Sequence, residues 1–148
     1  MTTARDVMHP DVKTIGVRDT MAAAAHRMLM FDIGALPICD GEGHPVGIVT
    51  DRDIATRIVG AGGNPATTTA GEMAQGDGLC TVDIGAGIDT VLAVMERHQI
   101  RRLPVTENGT IAGIITEADL ARHLPVQVVG EFVEVVCDQH LPVSTDEA

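Results

Sequence analysis

The sequence has no tryptophan and no tyrosine, and Phe31 and Phe132 are its only aromatic residues. A packed interior must therefore come from Ala, Val, Ile, Leu and Met, and an apolar content of 45% is ample for one. Aromatic platforms for stacking single-stranded nucleic acid are missing. Positive charge is also scarce: ten Lys and Arg stand against 21 acids, giving a net charge of −11. Repulsion on that scale disfavours DNA, RNA and anionic membrane surfaces, so no nucleic acid and no membrane is expected as a partner. Serine occurs once, at Ser144, which argues against a serine triad. The cysteines, Cys39, Cys80 and Cys137, are odd in number and form no CxxC, which suits a reducing compartment. Cys39 lies beside Asp40 with no evident histidine partner and reads as a packing residue. There is no Walker P-loop, GxGxxG or HExxH, and no serine or cysteine nucleophile with a partner, so an enzyme is not expected. No apolar run approaches the 18 residues of a membrane span; the Met21–Phe31 stretch is broken by His26 and Arg27. The opening MTTARDVMHP lacks the apolar stretch of a secretory leader, so a cytoplasmic protein is expected.

What the sequence does contain is itself, twice. Residues 46–57, VGIVTDRDIATR, return as AGIITEADLARH at 112–123, with five of twelve positions identical at an offset of 66. IGALPI at 33–38 faces IRRLPV at 100–105, and ARDVM at 4–8 faces AGEMA at 70–74. The order of the blocks is kept, so the chain is a duplication. Each copy predicts a short helix (about 2–8 and 69–74), a strand (12–15 and 79–82) and an amphipathic helix. The first amphipathic helix starts after Asp19–Thr20 and places Met21, Ala24, Ala25, Met28 and Leu29 on one face; the second, over 87–98, carries Ile88, Val91, Leu92 and Met95. Two β-rich runs follow, joined by DGEGHP (40–45) or ENGT (107–110), turn-forming sequences that predict hairpins. A last helix begins at Thr50 or Thr116. The expected organisation is a first module over 2–60, a Gly-, Pro- and Thr-rich linker over 61–68, a second module over 69–124 and an extension over 125–148. In the extension, apolar residues at 126, 129, 133 and 136 follow Pro125 with helical spacing. Their β-branched content leaves a strand as the alternative, and the terminal LPVSTDEA is expected to fray.

The doubled Gly-hydrophobic-hydrophobic-Thr-x-x-acid element, Thr50 to Asp53 and Thr116 to Asp119, admits two compatible readings. One is a helix cap: the hydroxyl accepts from a backbone N–H and the acid sits in the first turn, worth about 1 kcal/mol per helix. The other adds a ligand. A strand-to-helix turn exposes N–H groups that suit an anion, a threonine hydroxyl can bond a phosphate oxygen, and a carboxylate one turn on can accept from ribose hydroxyls.

Two β-α-β-β-α copies, each with this junction and a preceding hydrophobic-Pro-hydrophobic strand, resemble a CBS-domain pair over residues 2–124. The resemblance implies a mixed α/β (α+β) fold in which two modules pack about a pseudo-two-fold axis, leaving two clefts that commonly hold AMP, ADP, ATP or S-adenosylmethionine. By position it assigns phosphate or ribose contacts to Thr50 and Thr116, and ribose hydroxyls to Asp53 and Asp119. Arg101 and Arg102 occupy the place where family members present basic residues to phosphates. The adenine would lie against apolar walls near Ile15, Leu36 and Pro37. Gly34–Ala35 replace the arginines in the first copy, which leaves the two clefts unequal in charge. The resemblance further implies a homodimer, a regulatory role and an unidentified protein partner. Two other uses of the chain stay open: a ligand-free stress or interaction protein acting through its dimer surface, and a zinc-linked scaffold. His98 and His123 end two helices of the second copy, where the first has Phe31 and Arg57, and with Glu72 they offer a ligand set for zinc. The plainer reading of both histidines is a favourable charge at a helix C-terminus.

Overall fold

In the computed structural model, residues 1–74 and 78–137 are described. The tail expected to fray, 141–148, lies outside them. The first half runs α1 (Ala4–Val7), β1 (Ile15–Gly16), α2 (Met21–Phe31), β2 (Ala35–Cys39), β3 (Pro45–Thr50) and α3 (Asp51–Asp53). The second repeats the order as α4 (Ala70–Ala74), β4 (Val82–Asp83), α5 (Ile88–His98), β5 (Arg102–Glu107), β6 (Thr110–Thr116) and α6 (Glu117–His123). Each half forms one three-stranded sheet, with a parallel first pair and an antiparallel hairpin. The expected strands at 12–15 and 79–82 are trimmed to Ile15–Gly16 and Val82–Asp83, because ladder pairing with β2 and β5 begins only there. After Asp53 the first half continues as a π-helix over Ile54–Val59, whereas α6 stays α-helical.

The amphipathic helices bury most of the expected stripes, but Ala25 and Leu29, expected on the buried face of α2, are exposed, because the face turned to the core is narrower than the apolar stripe. Met21, Ala24 and Met28 of α2 face one core, and Val91 and Met95 of α5 the other. Thr20 caps α2 by accepting from Ala23 N–H, and both helices end on a residue in the left-handed region, Asp32 and Gln99. Each short leading helix packs on the opposite half. Ala4 and Val7 belong to the core of Val82, Val91, Met95, Leu103 and Ile115, while Ala70 and Met73 join Ile15, Met21, Leu36 and Val49. The exchange is stitched by backbone bonds, Ala4 N–H to Ala86 and Ile88 N–H to Thr2 on one side, Ala70 N–H to Asp19 and Met21 N–H to Thr68 on the other. Gly113 and Gly47 leave room for it: a Cβ on Gly113 would stand 2.5 Å from Met8 Sδ, and one on Gly47 2.9 Å from Ala74 Cβ.

Residues Val126–Cys137 form helix α7, which lies across α5 and α6 and inserts Phe132 and Val136 into the second core. Among the described residues no helix is long and apolar enough to cross a membrane. Cys39 is buried, and burial, reinforced by Asp40, pushes its thiol above the ordinary range, as suits a packing residue.

Candidate functional site

A cleft of about 810 Å³ opens between the halves, a volume suited to a nucleotide-sized molecule. The second half supplies Arg101 and Arg102 at the head of β5, Ile114 and Thr116 on β6, and Glu117, Asp119 and Arg122 on α6. The first half supplies the segment before β1, including His9, Val12 and Lys13, and the α2–β2 junction from Phe31 to Ala35. A short bridge joins the walls: His9 N–H donates to the Ile114 carbonyl at 2.8 Å and Ile114 N–H returns to His9 at 3.2 Å.

Thr116 and Asp119 form a reciprocal cap. Asp119 Oδ2 accepts from Thr116 N–H and from its hydroxyl, both at 2.9 Å, while Asp119 N–H donates to Thr116 Oγ1 at 3.4 Å. Asp119 is only 4% exposed, and its remaining oxygen, Oδ1, accepts from Arg122 at 2.8 Å. Thr50 and Asp53 make the matching cap in the first half, with Thr50 N–H to Asp53 Oδ2 at 3.0 Å, but neither lines this cleft.

The lining cations are mostly answered locally. Lys13 sits 3.5 Å from Asp11 and over the Phe31 ring at 4.8 Å. Arg101 Nε lies 3.7 Å from Glu117 and its Nη2 donates to Cys137 Sγ at 3.1 Å. The side chain of half-buried Arg102 has no hydrogen-bond or ion-pair partner among the described residues. The structure thus brings together Thr116, Asp119, Arg101 and Arg102, four of the residues singled out in the sequence.

The three residues expected as adenine walls are placed otherwise. Leu36, Pro37 and Ile15 are buried, Leu36 and Ile15 within the first core, and Ile15 edges a separate hollow of about 330 Å³ with Ala23, Met30 and Phe31. The apolar wall of the cleft comes instead from Val12, Phe31, Ile33, Ala35 and Ile114. Sequence reasoning missed these, along with Lys13 and Arg122. Only Arg122 left a readable trace, as a basic residue one turn beyond the motif acid. Glu72, His98 and His123 are exposed and do not converge within one chain. Among the described residues the one three-ligand group is Asp40, Glu42 and His44 in the β2–β3 turn. There Asp40 is already engaged, accepting from Glu42 and His44 backbone N–H at 2.9 Å, which holds its carboxyl below the usual range.

A family model described as CBS domain matches residues 4–60 and 78–126. This chain belongs to the CBS-domain family. As a CBS pair it is 48% identical over 137 residues to Hypoxic response protein 1 of Mycobacterium tuberculosis, covering 93% of this chain and 95% of that protein. It is 36% identical over 122 residues to the uncharacterized protein YlbB of Bacillus subtilis, covering 82% and 81%. Two solved CBS proteins share the architecture. Hypoxic Response Protein I with two coordinated zinc ions superimposes with a TM-score of 0.76 at 48% identity, over 84% of this chain and 100% of that one. The CBS domain pair of MJ0100 in complex with 5′-methylthioadenosine and S-adenosyl-L-methionine gives 0.69 at 26% identity, over 82% and 94%.

Proposed function

We propose that this CBS pair is a non-catalytic cytoplasmic sensor that binds an adenosine compound, an AMP- or ATP-class nucleotide or S-adenosylmethionine, in the cleft between its halves. The observation that carries the reading is the convergence of Thr116, Asp119, Arg101 and Arg102 on one cleft with apolar walls. The residues fit the ligand class: Arg102 offers a cation free of any described partner, and Ile33, Phe31 and Ile114 offer a surface for a base. The MJ0100 pair, which carries adenosine-type ligands, supports the assignment. Because the walls come from both halves, occupancy alters their packing, and a second copy or a protein partner reads the change. Exposed Leu29, Met30 and Val59 on the first-half helices favour a homodimer.

A thermal-shift titration with AMP, ATP and S-adenosylmethionine tests the reading. A ligand present at 100 times its Kd adds about 2.7 kcal/mol to the native state, and the melting temperature rises with concentration. Flat melting curves with all three at millimolar levels overturn it and leave the ligand-free interaction protein.

A second reading is favoured by the zinc ions of Hypoxic Response Protein I. Since Glu72, His98 and His123 do not meet in one chain, zinc at these residues would draw ligands from a second copy. Native mass spectrometry of the purified protein is then expected to show zinc only in the dimer, and to lose it on joint His98→Ala and His123→Ala substitution. Zinc retained by the double variant removes these residues from the site.

A further inference from the structure

We infer that Arg122 makes the cleft selective for a 5′-phosphorylated nucleoside over the bare nucleoside. The inference rests on the adenosine-binding reading above and names what that site prefers. Its starting point is a difference between the two copies of one motif. Thr50–Asp53 and Thr116–Asp119 form the same cap, yet only the second acid is held by an arginine. Three residues beyond Asp53 stands Thr56, whose hydroxyl donates to the Arg52 carbonyl and takes no part in the cap.

A carboxylate offers about four lone-pair directions. Asp119 commits two to Thr116 and one to Arg122. A ribose that used both hydroxyls on this acid would compete with Arg122 for Oδ1. The two sides of that contest differ in burial: the Asp119 side chain is 6% exposed and Arg122 is 65% exposed. The carboxylate cannot move without breaking the cap, whereas the guanidinium swings freely into the cleft that it already lines with Arg101 and Arg102.

The outcome depends on what else the ligand carries. A bare nucleoside displaces Arg122 and gives it nothing in return. A 5′-phosphate on the same ligand supplies a new anion to the displaced guanidinium, so the lost ion pair is replaced by a charge-assisted bond. Arg122 thus penalises ribose capture unless a phosphate accompanies it.

Isothermal titration of the full chain with AMP and with adenosine tests this. The intact protein is expected to prefer AMP by at least tenfold. In Arg122→Ala that preference falls at least threefold from its value in the intact protein, AMP binding more weakly while adenosine binds as well or better. Arg122→Lys restores part of the preference. An unchanged ratio in Arg122→Ala, or an equal loss of affinity for both ligands, overturns the inference while leaving the adenosine site standing. If neither compound binds the intact protein, both this inference and the reading beneath it fail.

Discussion

Replacing Phe132 with alanine is expected to lower the melting temperature by roughly 10 °C, the largest stability loss available from one side chain. Phe132 is fully buried, and it enters the second core from α7 beside Val136. Truncating a buried phenylalanine costs about 3–5 kcal/mol, through lost transfer energy and the cavity left behind. In a domain of this size each kcal/mol moves the midpoint by about 2–4 °C or somewhat more. The core has little with which to refill the hole, because it is otherwise aliphatic and Phe31 lies on the surface in the other half. Circular dichroism melting measures the effect, and a drop under about 3 °C would mean that α7 does not hold the second half together. Phe31→Ala is the comparison: at 48% exposure and outside both cores it has about half as much burial to lose, and a clearly smaller drop is expected.

Reversing the charge at Arg102 is expected to weaken AMP binding by at least a hundredfold with little change in melting temperature. Arg102 is the lining cation with no local counter-charge among the described residues, so a phosphate can meet it without first breaking an ion pair. Removing a hydrogen bond to a charged group costs about 1.5–3 kcal/mol, and a glutamate adds repulsion to a cleft that already holds Asp11, Asp32, Glu117 and Asp119. Each 1.4 kcal/mol is a factor of ten in Kd. Titration calorimetry of Arg102→Glu reads the loss directly; retention within tenfold would place the phosphate elsewhere.

Much of this was legible in the residues. The duplication gave the element order, and the helical period gave the buried face of α2 through Met21, Ala24 and Met28, though not at Ala25 and Leu29, which face outward. The paired arginines before Leu103–Pro104 marked one wall of the cleft through the family resemblance, which puts basic residues at that place. What stayed hidden belongs to contacts between the halves. Lys13, Phe31 and Ile33 reach the cleft only because the segment before β1 and the end of α2 meet the second half, and no local pattern encodes that meeting. Leu36 and Pro37 were placed by analogy of position, but alternation along β2 gives way to burial on both faces from Leu36 to Cys39. The π-helical run after Asp53 also has no signature, since its composition is that of an ordinary helix.

The reciprocal lodging of α1 and α4 bears on how such a chain arose and how it comes apart. Neither half can bury its own apolar surface, so a fragment ending near residue 60 would lack Ala70 and Met73 and leave Ala4 and Val7 without a host. Unfolding should therefore be a single cooperative event spanning the duplication. A single-copy ancestor would have needed two identical polypeptides trading their first helices, and gene fusion would have turned that trade into an intramolecular one, independent of concentration.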